Sequence, residues 1–128
     1  MSVLVVGGSS FIGAYTVQAF LDAGYEVIAT GRSTRFESHY ARRGVPYMSF
    51  DLACDRDIER LPSEGVEGVV LLAALLPANS QSDLKNDDNA WEYLEVNAVG
   101  TARLLEYCRK TGVDRLITTT SYADVQRS

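Results

Sequence analysis

Short apolar runs alternate along this chain with stretches whose apolar positions recur every three or four residues, the pattern of strands joined by helices. The first run, Val3-Leu4-Val5-Val6, reads as a buried parallel strand, and Ile12, Tyr15, Thr16, Ala19 and Phe20 follow at the spacing of an amphipathic helix. That helix is predicted from about Phe11 to Ala23, stopping at Gly24. A second strand follows over Glu26–Thr30, then a short helix over Glu37–Arg43 stopped by Gly44, a third strand over Tyr47–Phe50, and a helical turn over Asp57–Leu61 cut off by Pro62. The fourth strand, Val69–Ala74, is the most apolar and belongs in the sheet centre. A polar loop over Pro77–Asn86 is the expected mobile segment. The longest helix begins after Asp87 or Asp88, carries Trp91, Leu94, Ala98, Ala102, Leu105 and Cys108 on its apolar stripe, and ends at Gly112 before a fifth strand over Arg115–Thr119.

Five strands with helical crossovers imply an α/β fold: an open parallel sheet with helices on both faces, since each crossover is right-handed. The expected strand order is 3-2-1-4-5, which puts a ligand beyond the strand ends where the order reverses, between strands one and four.

At that point the chain carries Gly7-Gly8-Ser9-Ser10-Phe11-Ile12-Gly13, joining a strand to a helix. Glycines there let the backbone bend tightly and bring helix-start N–H groups against a pyrophosphate. Gly13 carries the most weight, because glycine in a first helical turn costs about 1 kcal/mol against alanine. The plainer alternative is a tight loop with Ser9 or Ser10 as an N-cap.

Strand two ends in Thr30-Gly31-Arg32-Ser33. Folds that prefer NAD place a carboxylate there to accept from the adenosine ribose, whereas a guanidinium matches a 2′-phosphate, so NADP is favoured and NAD is the alternative. Arg32 and Arg35 are otherwise solvated loop charges. Asp51, directly after strand three, either accepts from the adenine amino group or caps the following turn.

The 128 residues and net charge of −5 limit the rest. One domain with a real core fits this length, but a cofactor domain plus a substrate domain does not. Interspersed charges argue against a nucleic-acid surface and give no reason for a membrane partner. The first apolar run is too short, and lacks the basic flank, for a signal peptide or a membrane span, so a cytoplasmic protein is expected. Cys54 and Cys108 share no metal-ligand spacing and read as reduced, structural thiols, and no metal site is expected. His39, the sole histidine, fits an exposed helix face.

Taken in order, the motifs resemble the N-terminal part of the extended short-chain dehydrogenase/reductase family, the NAD-dependent epimerase/dehydratase group. The matching pieces are the glycine turn, Asp51-Leu52, Leu71-Leu72-Ala73-Ala74, Asn97-Ala98-Val99-Gly100-Thr101 with Leu104-Leu105, and Thr119-Thr120-Ser121. The resemblance implies a three-layer Rossmann-type fold. It implies that Gly7, Gly8, Ser10 and Gly13 surround the pyrophosphate, with Phe11 and Ile12 in the same cofactor-binding turn. Arg32 and Ser33 would then meet the 2′-phosphate, Asp51 and Leu52 the adenine, and Ala73, Ala74 and Leu76 the ribose and nicotinamide side. Asn97 would order the cofactor end of the long helix, and Ser121 would be the catalytic hydroxyl on a substrate oxygen. Pairing of two copies through helices near the long one is a further expectation.

The chain also departs from the family pattern. Ser10 stands where the family has a middle glycine, adding a Cβ near the phosphate and a hydroxyl able to donate to it. Val6 replaces a commoner threonine, and Leu71 a commoner histidine. The family's general acid/base tyrosine, with a lysine four residues later, has no counterpart among the seven tyrosines. The chain is therefore expected to be the dinucleotide-binding part of a longer epimerase, dehydratase or reductase acting on a nucleotide sugar or small carbonyl or hydroxyl substrate. The alternative is a stand-alone module that binds or senses a dinucleotide.

Overall fold

The computed structural model describes residues 1–73 and 90–119. Five strands form one parallel sheet in the order β3-β2-β1-β4-β5, as the alternation predicts. They are β1 (Ser2–Val6), β2 (Glu26–Gly31), β3 (Tyr47–Ser49), β4 (Val66–Leu71) and β5 (Leu116–Thr118). The helices are α1 (Phe11–Asp22), α2 (Glu37–Ala41) after a 3₁₀ turn at Thr34–Phe36, α3 (Asp55–Glu59), α4 (Ala90–Leu94) and α5 (Gly100–Thr111). A π-helical turn, Glu95–Val99, joins the last two. The loop expected over Pro77–Asn86 lies outside the described residues.

Alternation along β1 builds both cores. Leu4 and Val6 face a cluster closed by Phe50, Leu52, Leu104 and Tyr107, while Val3 and Val5 face one closed by Val17, Tyr40 and Val45. The sheet is thus the middle of three layers, and full burial of Leu104 contributes about 2 kcal/mol.

Three expectations need correction. β4 starts and ends three residues earlier than its apolar run, because the N–H groups of Leu72 and Ala73 both turn to the Val6 carbonyl (2.8 and 3.0 Å) and end the ladder. On α1, Ile12 and Tyr15 are exposed, as is Ala19; the packed side is Gly13 and Val17, with Phe20 and Leu21 partly buried. On the long helix Trp91, Leu94, Ala98, Ala102 and Leu105 are exposed, and of the predicted stripe only Cys108 is buried, beside Gly100, Leu104 and Tyr107. Both helices press a glycine, not a large side chain, against their neighbour, and the π turn adds a residue that rotates the stripe. The remaining boundaries differ by one or two residues, as helix and strand ends do.

Candidate cofactor site

A cleft of about 910 Å³ opens beyond the carboxyl ends of the strands, at the reversal of strand order. The β1–α1 turn supplies Gly7, Ser9, Ser10, Phe11 and Ile12, and the end of β2 supplies Thr30, Gly31 and Arg32. Phe50, Asp51 and Leu52 come from beyond β3, Leu72 and Ala73 from beyond β4, Val96 from the π turn, and Thr119 from beyond β5.

The turn is as tight as backbone allows. Gly7 has φ +105°, and a Cβ on it would fall 2.6 Å from the Ala73 nitrogen where the chain leaving β4 crosses. A Cβ on Gly13 would strike the Gly7 carbonyl oxygen and lie 2.8 Å from Gly8 Cα, so α1 sits directly on the turn. The weight given to Gly13 is therefore justified by close packing of backbone on backbone.

Hydrogen bonds assign the turn's donors. The N–H groups of Gly7 and Gly8 both donate to the Thr30 carbonyl, at 3.1 and 2.7 Å, which ties the turn to β2 and takes these two amides away from any anion. The Ser10 hydroxyl donates to the Gly7 carbonyl and accepts from Gly13 N–H, both at 2.9 Å. Ser10 is thus the N-cap of α1, and its hydroxyl is engaged within the turn. Phe11 and Ile12 line the cleft at the first two helical positions, where an N–H has no carbonyl one turn back to meet. Their amides stand at the positive end of the helix dipole, the kind of position at which anions bind.

Arg32 is exposed at the cleft edge, and no carboxylate pairs with it among the described residues. Ser33 caps the 3₁₀ turn by accepting from Arg35 N–H (3.2 Å), and it does not line the cleft. One oxygen of Asp51 accepts from Ala53 N–H (3.0 Å), closing a turn whose Asp51 N–H donates to Asp57 (2.7 Å). The capping alternative for Asp51 is therefore real, and its second oxygen is not needed for that bond.

The helical wall is locked to this loop. Gly100 rests on Leu52, and Arg103 donates to the Ala53 carbonyl (2.9 Å) while pairing with Glu95 (3.2 Å) and Asp55. Those contacts put Val96 in the cleft wall; Asn97, one residue on, lies outside it and gives its carbonyl to the Thr101 hydroxyl (2.7 Å).

Of the residues named from sequence, Gly7, Ser10, Phe11, Ile12, Arg32, Asp51, Leu52 and Ala73 meet in the cleft. Gly8, Gly13, Ser33 and Asn97 do not line it, and Ala74, Leu76 and Ser121 lie outside the described residues. The reading missed Val6, Ser9, Thr30, Gly31, Phe50, Leu72, Val96 and Thr119 as lining residues. Ser9 and Gly31 sat inside quoted motifs; the π turn that presents Val96 has no sequence signal. Among the described residues no cluster of metal-ligating side chains occurs, and no helix is long and apolar enough to cross a membrane.

Comparison with known proteins agrees with this geometry. The mouse sterol-4-alpha-carboxylate 3-dehydrogenase, decarboxylating, is 31% identical over 120 residues, covering 91% of this chain and 29% of that protein. Bovine UDP-glucose 4-epimerase is 30% identical over 132 residues, covering 93% of this chain and 37% of its own length. The crystal structure of the Thermus thermophilus UDP-glucose 4-epimerase in complex with NAD superposes with a TM-score of 0.69 at 31% identity, over 91% of this chain and 36% of that one. The chain thus spans about a third of the length of these relatives. A sequence model of the NAD dependent epimerase/dehydratase family matches residues 3–128, and the chain belongs to that family.

Proposed function

We propose that the cleft holds a nicotinamide dinucleotide, and that this chain is the dinucleotide-binding part of an epimerase, dehydratase or reductase acting on a nucleotide sugar or a small carbonyl or hydroxyl compound. The observation that carries the reading is the turn in which Gly7 and Gly13 leave no room for a Cβ, while Phe11 and Ile12, whose amides stand at the positive end of α1, line the cleft. In this reading those two amides bind the pyrophosphate, the spare oxygen of Asp51 accepts from the adenine amino group, and Leu52 and Ala73 flank the adenine and the ribose. When bound, the nicotinamide supplies hydride donation and acceptance. The chain's own part is to bind, to orient, and to exclude water with Val6, Phe50, Leu72 and Val96.

NADP is the preferred cofactor in this proposal. The Thermus thermophilus structure holds NAD, whereas β2 here is followed directly by Arg32, with no carboxylate at the strand's end. A guanidinium offers a 2′-phosphate planar, charge-assisted donors that a 2′-hydroxyl cannot fully use. Calorimetric titration of the chain with both dinucleotides tests this. NADP should bind more tightly, and Arg32→Ala should remove most of the difference while leaving NAD nearly unchanged; NAD binding equally or more tightly to the parent chain would refute the preference.

A further inference from the structure

Gly31 lines the cleft at the end of β2, one residue before Arg32, and its missing side chain is accounted for by what stands next to it. A Cβ there would collide with the Ser9 hydroxyl, lie 2.6 Å from Ser9 Cβ and lie 2.6 Å from the Tyr47 hydroxyl. Two hydroxyls, one from the glycine turn and one from the first residue of β3, fill the place where folds that prefer NAD carry a carboxylate.

The two hydroxyls stand side by side against Gly31, and the Tyr47 hydroxyl donates to the Ser33 carbonyl. Tyr47 stacks on Tyr40 with ring centroids 5.6 Å apart and planes at 15°, and the fully buried Tyr40 donates its own hydroxyl to the Gly8 carbonyl. The Tyr47 bond has two electrostatic effects. It engages the Ser33 carbonyl, an acceptor that would repel a phosphate brought to the Arg32-Ser33 corner. It also fixes the backbone from Gly31 to Ser33, on which the Arg32 guanidinium is carried.

We infer that Tyr47 is a specificity-determining positioning residue: with Ser9 it occupies the carboxylate's place beside Gly31 and holds the Arg32-Ser33 corner open to a 2′-phosphate. The inference deepens the NADP reading and rests on it. Tyr47 and Ser33 do not line the cleft, so Tyr47 acts through the corner and not by touching the ligand. Removing its hydroxyl must therefore change the ratio of two affinities, not both together.

The probes are adenosine 2′,5′-bisphosphate and adenosine 5′-diphosphate, followed by amide shifts of the whole 128-residue chain, a method suited to weak binding. The parent should favour the 2′-phosphorylated probe. Tyr47→Phe, which keeps the ring and its stacking, should weaken that probe about three- to tenfold, the scale of one hydrogen bond, and leave the diphosphate within about twofold. A second variant, Gly31→Asp with Ser9→Gly and Tyr47→Phe, clears the atoms that a Cβ at Gly31 would meet, replaces the hydroxyls by a carboxylate and should reverse the preference.

The possible failures are distinct. A Tyr47→Phe chain that keeps the parent's full preference overturns the inference and leaves the NADP reading standing. Equal loss of both probes overturns it too, because Tyr47 would then be a purely structural residue. A parent chain with no preference overturns the NADP reading and the inference together.

Discussion

Gly100, the first residue of α5, lies so close to Leu52 that a Cβ on it would fall 2.5 Å from Leu52 Cγ and 2.9 Å from the Leu52 carbonyl oxygen. Leu52 is itself 3% exposed and lines the cleft, so the long helix and the loop after β3 meet at a point with no slack. Gly100→Ala is expected to destabilise the chain by about 1–3 kcal/mol through overpacking, since the obstructing atoms include backbone. Urea denaturation should show a lower midpoint at unchanged slope, with amide shifts concentrated at Asp51–Ala53. A midpoint equal to the parent's would mean that the helix can slide away freely.

Arg103 fastens the same junction from the other side. Its side chain is 24% exposed, as is Glu95 at 25%, whereas Asp55 is 76% exposed. Solvent therefore weakens the Asp55 pair most, despite its closer approach. Arg103→Gln should cost about 1–2 kcal/mol, and double-mutant cycles should give a larger coupling to Glu95 than to Asp55. The reverse order would show that contact distance outweighs exposure here.

Tyr107 gives the fold an alkaline limit. Its buried hydroxyl donates to the Pro62 carbonyl (2.6 Å), and burial, with a smaller contribution from Cys108, pushes its pKa from 10.0 to about 12. Below pH 10 the hydroxyl is protonated in both folded and unfolded chains and its stabilising bond is intact. Between pH 10 and about 12 the unfolded chain releases the proton and the folded chain does not, so stability falls as pH rises. Burial raises Tyr40 and Tyr47 in the same direction. Thermal melts from pH 9 to 12 should show a steeper fall for the parent than for Tyr107→Phe, which starts lower by about 1 kcal/mol. Parallel curves would remove Tyr107 from the explanation.

Incubated with NADPH and a panel of carbonyl compounds and nucleotide sugars, the chain by itself should oxidise no cofactor. It contains no tyrosine followed four residues later by lysine, and general acid/base catalysis of that kind contributes about 10²–10⁴ in rate. NADPH oxidation that disappears in Ser121→Ala would show a complete active site.

The sheet was legible because its signal is redundant: five apolar runs, separated by stretches long enough for crossovers, admit few right-handed parallel arrangements. That the glycine turn, Arg32 and Asp51 share one cleft was legible for a related reason, since each sits at the end of an apolar run and strand ends converge at the reversal of strand order. The packed faces of α1 and α5 were not. Periodicity gives weight to Ile12, Tyr15, Trp91 and Leu94, but the tightest contacts are made through Gly13 and Gly100, residues that a hydrophobic count passes over. Nor was the division of labour inside the turn, where Gly8 and Ser10 are consumed by the backbone and the next two residues line the cleft. Such assignments depend on three-dimensional donor and acceptor geometry, which spacing alone does not carry.

The strand order also sets a timetable for synthesis. β1 finds β2 early, Ser2 beside Glu26, but its other edge waits for β4, where Ser2 meets Val66 and Val6 meets Leu71. Once Ser49 has been made, Val3 and Val5 already have Val17, Tyr40 and Val45 to cover them, while Leu4 and Val6 still await Leu104 and Tyr107. During the interval before Val66, about one to three seconds at ribosomal rates of ~5–20 residues per second, the most apolar strand of the early half presents an unpaired edge. A nascent chain of this sequence is most open to mispairing with a neighbour then, with the glycine turn and Arg32 already made and the helix that covers the other face not yet begun.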